Sequence, residues 1–516
     1  MATALGEVML RAERPLSEAE VEAVAREGAQ VVLAPEVLER LTATRAHVDA
    51  LAAGELPAYG ISTGFGALAT RHIPAELRTQ LQRSLVRSHA ASSGDEVETE
   101  VVRAMVLLRL QTLATGRTGV RAETAQAYAG LLNAGLTPVV REFGSLGCSG
   151  DLAPLAHVAL AVMGEGEVRD REGVLHAAGP ALAAAGLRPV VLAEKEGLAL
   201  INGTDGMLGM LLLACADLGR LFKVADLTAA MSVEALLGTD RTLAAELMQL
   251  RPHPGQAAAA ANMRRLLGGS AMVASHAGPQ DTRVQDAYSV RCAPQVAGAG
   301  RDTLAHARLV ASREAASAID NPVLLPDGRI ESNGNFHGAP VGYILDFLAI
   351  PAADLASISE RRTDRLLDAK RSHGLPAFLA DDPGVDSGLM IAQYTQAALV
   401  SELKRLAAPA SVDSIPSSAM QEDHVSMGWG AGRKLRRSVD ALTRVLAIEL
   451  MTAARALDLR EHPPAAATAA VLAALREVVP GPGPDRYLSP EIEATVELVR
   501  SGAALAAAEA VTGPLE

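Results

Sequence analysis

The chain has 516 residues, 49% of them hydrophobic, so it is long enough to bury a large core. Its net charge is −13 and no long basic run is present, which argues against nucleic acid or an anionic membrane as a partner. The short basic stretch 433–437 falls in a helical pattern, where a solvated helix face is the ordinary interpretation.

Cysteine usage and the N-terminus indicate a reduced, cytoplasmic protein. Three sparse cysteines do not form a disulfide framework. Residues 1–15 contain acids and lack the apolar core of a signal peptide. Since no run of eighteen apolar residues is free of charge, we expect no membrane span.

The first third of the chain alternates short elements with loops. An extended piece is expected over 7–11, and Ser17 with Glu20 forms a capping box before an apolar-periodic run. Residues 56–70 are rich in Gly, Ser and Thr and are predicted to form a loop.

A second capping box, Ser93 with Glu96, predicts a helix whose apolar face begins at Val101 and recurs at helical spacing. A further helix is expected over 123–133. Glycines and prolines over 168–191 indicate a small excursion of short strands and turns.

The loop after the 123–133 helix carries the tripeptide Cys148-Ser149-Gly150, followed by Asp151 and an apolar run. In a sharply bent chain the Gly150 nitrogen can attack the Cys148 carbonyl carbon, because glycine has no Cβ to obstruct the approach. Loss of one water closes a five-membered ring, and loss of a second from Ser149 leaves an exocyclic methylene. The product would be a methylideneimidazolone, an electrophile made from the main chain. The same residues also suit an ordinary turn, with Ser149 or Asp151 capping a helix.

Beyond about residue 193 the pattern is dominated by long Ala/Leu-rich helices, which normally pack as bundles. They are predicted over 205–237, 301–319, 339–368, 388–408 and 430–460, with connections at 266–285, 327–338 and 409–428. The fold class is therefore mainly α: a long-helix bundle over 201–516 with a smaller, loop-rich N-terminal region over 1–200 that carries the Tyr59 loop and the electrophile.

Six further segments hold dense polar residues between apolar helices. They are 59–66, 87–90, 202–205, 285–292, 333–338 and 421–428. Each alone has an ordinary interpretation as a loop or helix end, but buried polar groups must satisfy one another or bind something. In the fourth segment Tyr288 and Arg291 lie three apart, on one side of a helical turn, where an ion pair is the ordinary role of Arg291. Neither a nucleotide-binding glycine motif nor a metal-ligand spacing is present, so no metal is expected.

Taken together, the tripeptide and the six segments resemble the aromatic amino acid ammonia-lyase family in order and approximate spacing, over roughly residues 5 to 480. The resemblance implies a helical homotetramer whose sites are shared between subunits. It implies a methylideneimidazolone formed from Cys148, Ser149 and Gly150, with Asp151 assisting cyclisation and no external cofactor. Many relatives carry Ala at position 148 and Gln at position 205, where this chain has Cys and Asp.

The substrate is indicated by two polar positions. Ser88-His89 stands where phenylalanine lyases have an apolar pair, and Glu422 matches the histidine branch of the family. An imidazole has one donor and one acceptor nitrogen, so two polar partners suit it. The resemblance thus implies a carbon–nitrogen lyase that eliminates ammonia from L-histidine to give trans-urocanate, the first step of histidine degradation.

The resemblance also implies a role for each polar side chain. Tyr59 would remove the β-proton, and Arg291 would hold the substrate carboxylate. His89 and Glu422 would bind the imidazole, while Phe336 would pack near the electrophile. The residues implied to orient the electrophile and the amine are Asn202, Gln285 and Tyr288.

Three alternatives stay open at this point. An aminomutase, or a lyase acting on a modified histidine such as ergothioneine, would use the same electrophile, and product analysis would distinguish them. A helical relative without catalysis is the third; Tyr59, Ser149, Gly150 and Arg291 argue against it.

Overall fold

The computed structural model describes residues 6–54, 60–64, 71–147, 150–278 and 284–516. Tyr59, Cys148 and Ser149 lie outside these ranges. The chain divides into two compact units, each assembled from three stretches. Unit 1 contains 1–216, 307–346 and 409–433, and unit 2 contains 217–306, 347–408 and 434–516.

Strands in the described residues are short and all belong to unit 1. They are β1 (Glu7–Leu10), β2 (Gln30–Leu33), β3 (Ser93–Glu96), β4 (Thr137–Pro138), β5 (Arg141–Phe143), β6 (Glu167–Arg169), β7 (Leu175–Ala177), β8 (Val323–Leu324) and β9 (Ile330–Glu331). The β1–β2 pair is parallel, with Glu7 opposite Gln30. The β3–β5 and β8–β9 pairs are antiparallel, as is the three-stranded sheet β4-β6-β7. The extended piece expected over 7–11 is confirmed.

Helices make up most of the described chain, which confirms the mainly α class. They are α1 (Glu18–Glu22), α2 (Pro35–Ala53), α3 (Arg78–His89), α4 (Thr99–Ala114), α5 (Ala122–Asn133), α6 (Leu152–Val162), α7 (Ala178–Ala184), α8 (Glu196–Ile201), α9 (Asp205–Ala235), α10 (Ala245–Gln249), α11 (Pro254–Leu266), α12 (Ala271–Ser275), α13 (Tyr288–Arg291), α14 (Ala293–Ala315), α15 (Ala339–Leu367), α16 (Met390–Leu406), α17 (Gly428–Asp458), α18 (Ala466–Arg476), α19 (Ser489–Arg500) and α20 (Ala503–Thr512). A π-helical turn follows α1 at Ala23–Glu27, and 3-10 turns occur at Ala75–Leu77, Arg241–Leu243, Ala377–Leu379 and Ser418–Met420.

One of the two predicted capping boxes is confirmed and the other is wrong. Ser17 Oγ accepts from Glu20 N, and the Glu20 carboxylate accepts from Ser17 N at 2.9 Å. Ser93–Glu96 instead forms β3, and the next helix begins at Thr99 without a side-chain cap. Gly94 has φ +94°, which a helix does not accommodate, and the segment pairs with β5.

Helix α4 is buried on all sides, whereas the sequence predicted a single apolar face. Every residue from Val101 to Ala114 is buried, including Arg103 and Arg109. A charged side chain on such a helix has no path to water, so its partners must come from the protein.

The five predicted long helices are present, with shifted bounds. The helix expected over 301–319 is the most displaced, beginning at Ala293 and ending at Ala315. Helix α7 was not predicted within 168–191, and α12 was not predicted within 266–285. Ser270 starts α12 by accepting a hydrogen bond from Val273 N, a cap too local to stand out in a Gly/Ser-rich connection.

Unit 2 contains a fully buried carboxylate at Glu449 on α17. Arg362 on α15 donates to it from Nε at 2.5 Å and from Nη2 at 2.9 Å. Three hydroxyl groups from α9 and α15 also donate to this carboxylate, those of Thr228, Ser232 and Ser359. The buried charge is thus paired and saturated with hydrogen bonds, as its burial requires.

Two helical stretches are long and apolar enough to cross a membrane by length and composition alone, Glu196–Ala235 and Ala339–Leu367. In the first, the whole of the most apolar window is buried inside the protein, and in the second 61% of it is. Both are therefore core helices.

Candidate functional site

The loop that leads into the tripeptide is held by its own side chains. Ser145 Oγ donates to Asp151 Oδ1 at 2.9 Å, and Gly147 N donates to Ser145 Oγ at 3.1 Å. One hydroxyl therefore joins the residues before the tripeptide to the residue after it.

Two of the polar segments predicted from the sequence bind this loop from outside. Met427 N donates to Leu146 O at 2.8 Å, and Gly338 N donates to Gly147 O at 3.2 Å. Ser426 Oγ also donates to Gly147 O, at 3.1 Å. The segments 333–338 and 421–428 thus fix the carbonyl groups directly before the tripeptide.

Gly150 fits its position only as glycine. It has φ +79°, and a Cβ built on it would overlap the backbone of Gly203. The next residue, Asp151, donates its backbone N–H to Gly203 O at 2.7 Å. The contact places the Asn202–Asp205 segment directly against the end of the tripeptide.

Asp151 is fully buried, and its side chain does not cap α6, which was the ordinary role considered for it. Its Oδ2 instead accepts from Met207 N at 2.9 Å. Burial raises the pKa of the Asp151 carboxyl to about 7, although the hydrogen bonds from Met207 and Ser145 oppose this effect. A carboxyl group with this pKa can exchange a proton near neutral pH.

Asn202, at the C-terminal end of α8, is only 3% exposed. Its Nδ2 donates to Asn321 O at 2.8 Å, while its Oδ1 is buried without a hydrogen-bond partner in the described residues. A buried acceptor without a donor costs free energy, so this atom is suited to receive a donor from a ligand.

His89 and Glu422, the two positions that indicated the substrate, lie within electrostatic reach of each other. Burial lowers the pKa of His89 below its ordinary value, and the hydrogen bond to Leu85 O and the charge of Glu422 only partly offset this. His89 Nδ1 lies 2.9 Å from Leu85 O, an acceptor, so we assign the proton to Nδ1. Neutral His89 then presents Nε2 as an acceptor, with an acidic side chain nearby.

Phe336 is half-buried, in the segment that binds the loop before the tripeptide. The ring of its neighbour His337 stacks on that of His424 with centroids 5.7 Å apart, which joins the two polar segments. Packing of Phe336 near the electrophile stays a prediction.

Gln285, Tyr288 and Arg291 belong to unit 2. The structure confirms that Tyr288 and Arg291 share one side of a helical turn, because the Arg291 guanidinium lies 4.7 Å from the Tyr288 ring centroid. Arg291 Nε is buried without a hydrogen-bond partner in the described ranges, so it has a donor available for an anion. Gln285 is exposed, and Tyr288 is 72% exposed.

Sequence reasoning missed several residues that shape the site. Ser145 and Ser426 hold the loop, and Arg109 contacts the Asn202 segment. A signal for Arg109 was available, because an arginine within the otherwise apolar stretch 104–110 of a helix must have buried partners. In the described part of the chain no three His, Cys, Asp or Glu side chains form a group that could hold a metal ion.

The sequence is similar to a known protein family along most of its length. The family model described as aromatic amino acid lyase matches residues 16–477. A histidine ammonia-lyase of Streptomyces avermitilis is 67% identical over 504 residues, which cover 97% of this chain and 98% of that protein.

Solved structures are similar along the whole chain. The histidine ammonia-lyase of Trypanosoma cruzi has a TM-score of 0.89 at 38% identity, covering 98% of this chain and 95% of its own. The tyrosine aminomutase of Streptomyces globisporus has a TM-score of 0.93 at 37% identity, covering 99% of this chain and 100% of its own. The fold is thus shared by lyases and aminomutases alike.

Proposed function

We infer the function of this chain from the fact that it belongs to the aromatic amino acid lyase family. It is an ammonia-lyase, a carbon–nitrogen lyase, and its reaction is the elimination of ammonia from L-histidine to give trans-urocanate. The observation that carries the choice of substrate is the proximity of neutral His89 and Glu422. His89 Nε2 and the Glu422 carboxylate both accept hydrogen bonds, so the N–H of an imidazole can donate to one of them, whereas an apolar substrate ring offers no donor.

The proposed electrophile is the methylideneimidazolone formed from Cys148, Ser149 and Gly150. Two observations fit it: only glycine is accommodated at position 150, and the next residue, Asp151, presents a carboxyl group that titrates near neutrality. When formed, this group supplies an electrophilic methylene that binds the substrate amine and makes it a better leaving group. No external cofactor or metal is needed.

The remaining residues bind and orient the substrate in this proposal. Arg291 holds the carboxylate through its guanidinium group, whose Nε has no partner in the described residues, and Asn202 Oδ1 accepts from the amine. Tyr59 removes the β-proton, for which the pKa of its phenol must be lowered. Phe336 packs beside the electrophile, and the other residues that orient the reacting groups are Gln285 and Tyr288.

We further propose a cytoplasmic homotetramer in which subunits share sites. The 72% exposure of Tyr288 supports this, because a residue that orients a reacting group must be shielded from water during turnover. Sedimentation of the purified protein tests it, and a monomer that retains full activity would contradict it.

An aminomutase is the second candidate, since the tyrosine aminomutase fold matches over the whole chain. The 67% identity to a histidine ammonia-lyase favours elimination without re-addition of the amine. Chromatography of the product separates the two, because a β-amino acid would identify a mutase.

The deciding experiment follows urocanate absorbance with L-histidine, and with L-phenylalanine and L-tyrosine as controls. We expect product only from L-histidine, and none from Ser149→Ala. His89→Leu should raise KM for L-histidine. The matched control is His157→Leu, because burial also lowers the pKa of His157 but Glu422 is not among the groups that perturb it. Equal effects of the two histidine variants would contradict the assignment of His89, and cinnamate or coumarate as the product would contradict the assigned substrate.

A further inference from the structure

Arg109 on α4 is fully buried and forks between two distant segments of the chain. Its Nη1 donates to Asn202 O at 2.9 Å, and its Nη2 donates to Ile319 O at 2.7 Å. Nη1 also lies 3.3 Å from Asp205 Oδ2. A guanidinium group is planar and rigid, so these contacts fix the spacing between the two carbonyl groups.

The second of these segments determines how the Asn202 side chain is oriented. A carbonyl oxygen only accepts hydrogen bonds, so Asn321 O requires that Nδ2, not Oδ1, of Asn202 face it. The orientation of this amide leaves Oδ1 as the buried atom without a partner. The spacing set by Arg109 thus decides where that acceptor lies.

The 319–321 segment is itself anchored. Lys195 Nζ pairs with Asp320 Oδ2 at 2.5 Å, and both side chains are fully buried. Asn321 Oδ1 accepts from Asn333 N at 3.0 Å. The 319–321 segment is thus fixed on its other sides, and the Arg109 fork is one of the contacts that hold the Asn202 segment in register with it.

The same guanidinium group supports the contact with the tripeptide. A Cβ built on Gly203 would overlap Arg109 Nη1 and Asp205 Oδ2, so the backbone here lies directly on the ion pair. On its other side Gly203 O accepts from Asp151 N. The Gly203 backbone is therefore held between Arg109 and the end of the tripeptide.

We propose that Arg109 is a positioning residue of the site, acting through the two carbonyl groups that its fork holds. It supports Gly203 against Gly150 while the tripeptide cyclises, and it directs Asn202 Oδ1 towards the substrate amine afterwards. The inference rests on the proposed function. The hydrogen bonds of Arg109 in the described residues go to backbone carbonyl groups, so its role is exerted through other residues.

The test compares Arg109→Lys with Arg103→Lys. Arg103 lies on the same helix, is 7% exposed, and donates from Nε and Nη2 to Val24 O at 3.1 and 2.8 Å. Lysine keeps the charge at both positions but cannot form the fork. Three quantities are measured for each variant: the urea midpoint, the fraction of the Ser149 peptide that has lost two waters, and kcat and KM for L-histidine.

We expect both variants to lose stability, but only Arg109→Lys to lower the cyclised fraction. Its kcat per cyclised site should fall about 10- to 100-fold, as for a reacting group displaced by about 1 Å. Asp205→Gln, which removes the ion pair but leaves both carbonyl contacts of Arg109, should retain cyclisation. This variant also tests the proposal if Arg109→Lys does not fold.

Equal cyclised fractions and equal kcat in the two lysine variants would overturn the proposal. Loss of cyclisation in Asp205→Gln would do so as well, because the charge rather than the fork would then be responsible. If the wild-type chain cyclises but does not act on L-histidine, the proposed function fails and the cyclised fractions alone decide the role of Arg109. If the Ser149 peptide of the wild-type chain has the mass of the unmodified sequence, with no water lost, the proposed electrophile and this inference fail together.

Discussion

The buried carboxyl group of Asp151 makes stability depend on pH in a direction opposite to that of a salt-bridged carboxylate. Burial raises its pKa from 3.8 to about 7 in the folded protein. Between about pH 4 and pH 7 the unfolded chain has released this proton while the folded protein retains it. Rising pH therefore lowers the free energy of unfolding across this window. Above about pH 7 both states have released the proton, and this carboxyl group lowers the free energy no further.

The perturbation is Asp151→Asn, which carries no ionisable group at this position. Each pKa unit corresponds to about 1.4 kcal/mol, so the two units between pH 5 and pH 7 correspond to about 3 kcal/mol. We expect the free energy of unfolding of the variant, minus that of the wild type, to rise by about 3 kcal/mol from pH 5 to pH 8.

Urea unfolding at fixed protein concentration, at pH 5 and at pH 8, measures this difference. Taking the variant minus the wild type cancels other buried acids, such as Asp226, whose pKa burial raises to about 6. The control is Asp95→Asn, which removes a carboxyl group at an exposed position on β3 and should not reproduce this rise. A difference for Asp151→Asn that does not change with pH would refute the assignment of a raised pKa to this carboxyl.

Three further substitutions test other parts of the structure. Glu449→Gln should lower the free energy of unfolding by about 3–5 kcal/mol, because it leaves a buried arginine without its charge partner, and a loss below about 1 kcal/mol in urea titration would contradict this. Gly150→Ala should prevent loss of the two waters, seen in the peptide mass, because its Cβ overlaps Gly203; Gly173→Ala is the control, with φ +78° but open space around it. Trp429→Phe should cost about 1 kcal/mol in the same titration, since its indole N–H donates to a buried carbonyl at 2.7 Å, and an unchanged midpoint would show that this bond is dispensable.

Local patterns in the sequence were sufficient to locate the five long helices and the polar segments of the candidate site. The ordered motifs identified the loop around Gly150, and the structure brings the segments 333–338 and 421–428 onto it. The pattern at Ser93–Glu96 was misleading because a capping box and a short strand use the same residues. Only the pairing with β5, more than forty residues away, decides between them.

The network around Arg109 was beyond local reasoning for a different reason. Its partners Asn202 and Ile319 lie 93 and 210 residues away in the sequence, and both contacts are to backbone carbonyls. Every residue has a backbone carbonyl group, so the sequence does not show which of them accepts a hydrogen bond from Arg109. Asp205 belongs to the same network, because it forms an ion pair with Arg109. The sequence showed this residue only as a departure from the glutamine that is common in the family.

The contacts on Gly147 have a consequence for the order of events during synthesis. Ser426 Oγ, which holds the Gly147 carbonyl, lies 279 residues later in the chain. A ribosome must therefore translate most of the protein before this contact on Gly147 can form. Unfinished chains would carry no reactive methylene, and a nascent chain arrested before residue 426 should retain both waters in its Ser149 peptide. The proposed electrophile would then mark a polypeptide whose translation has passed this point.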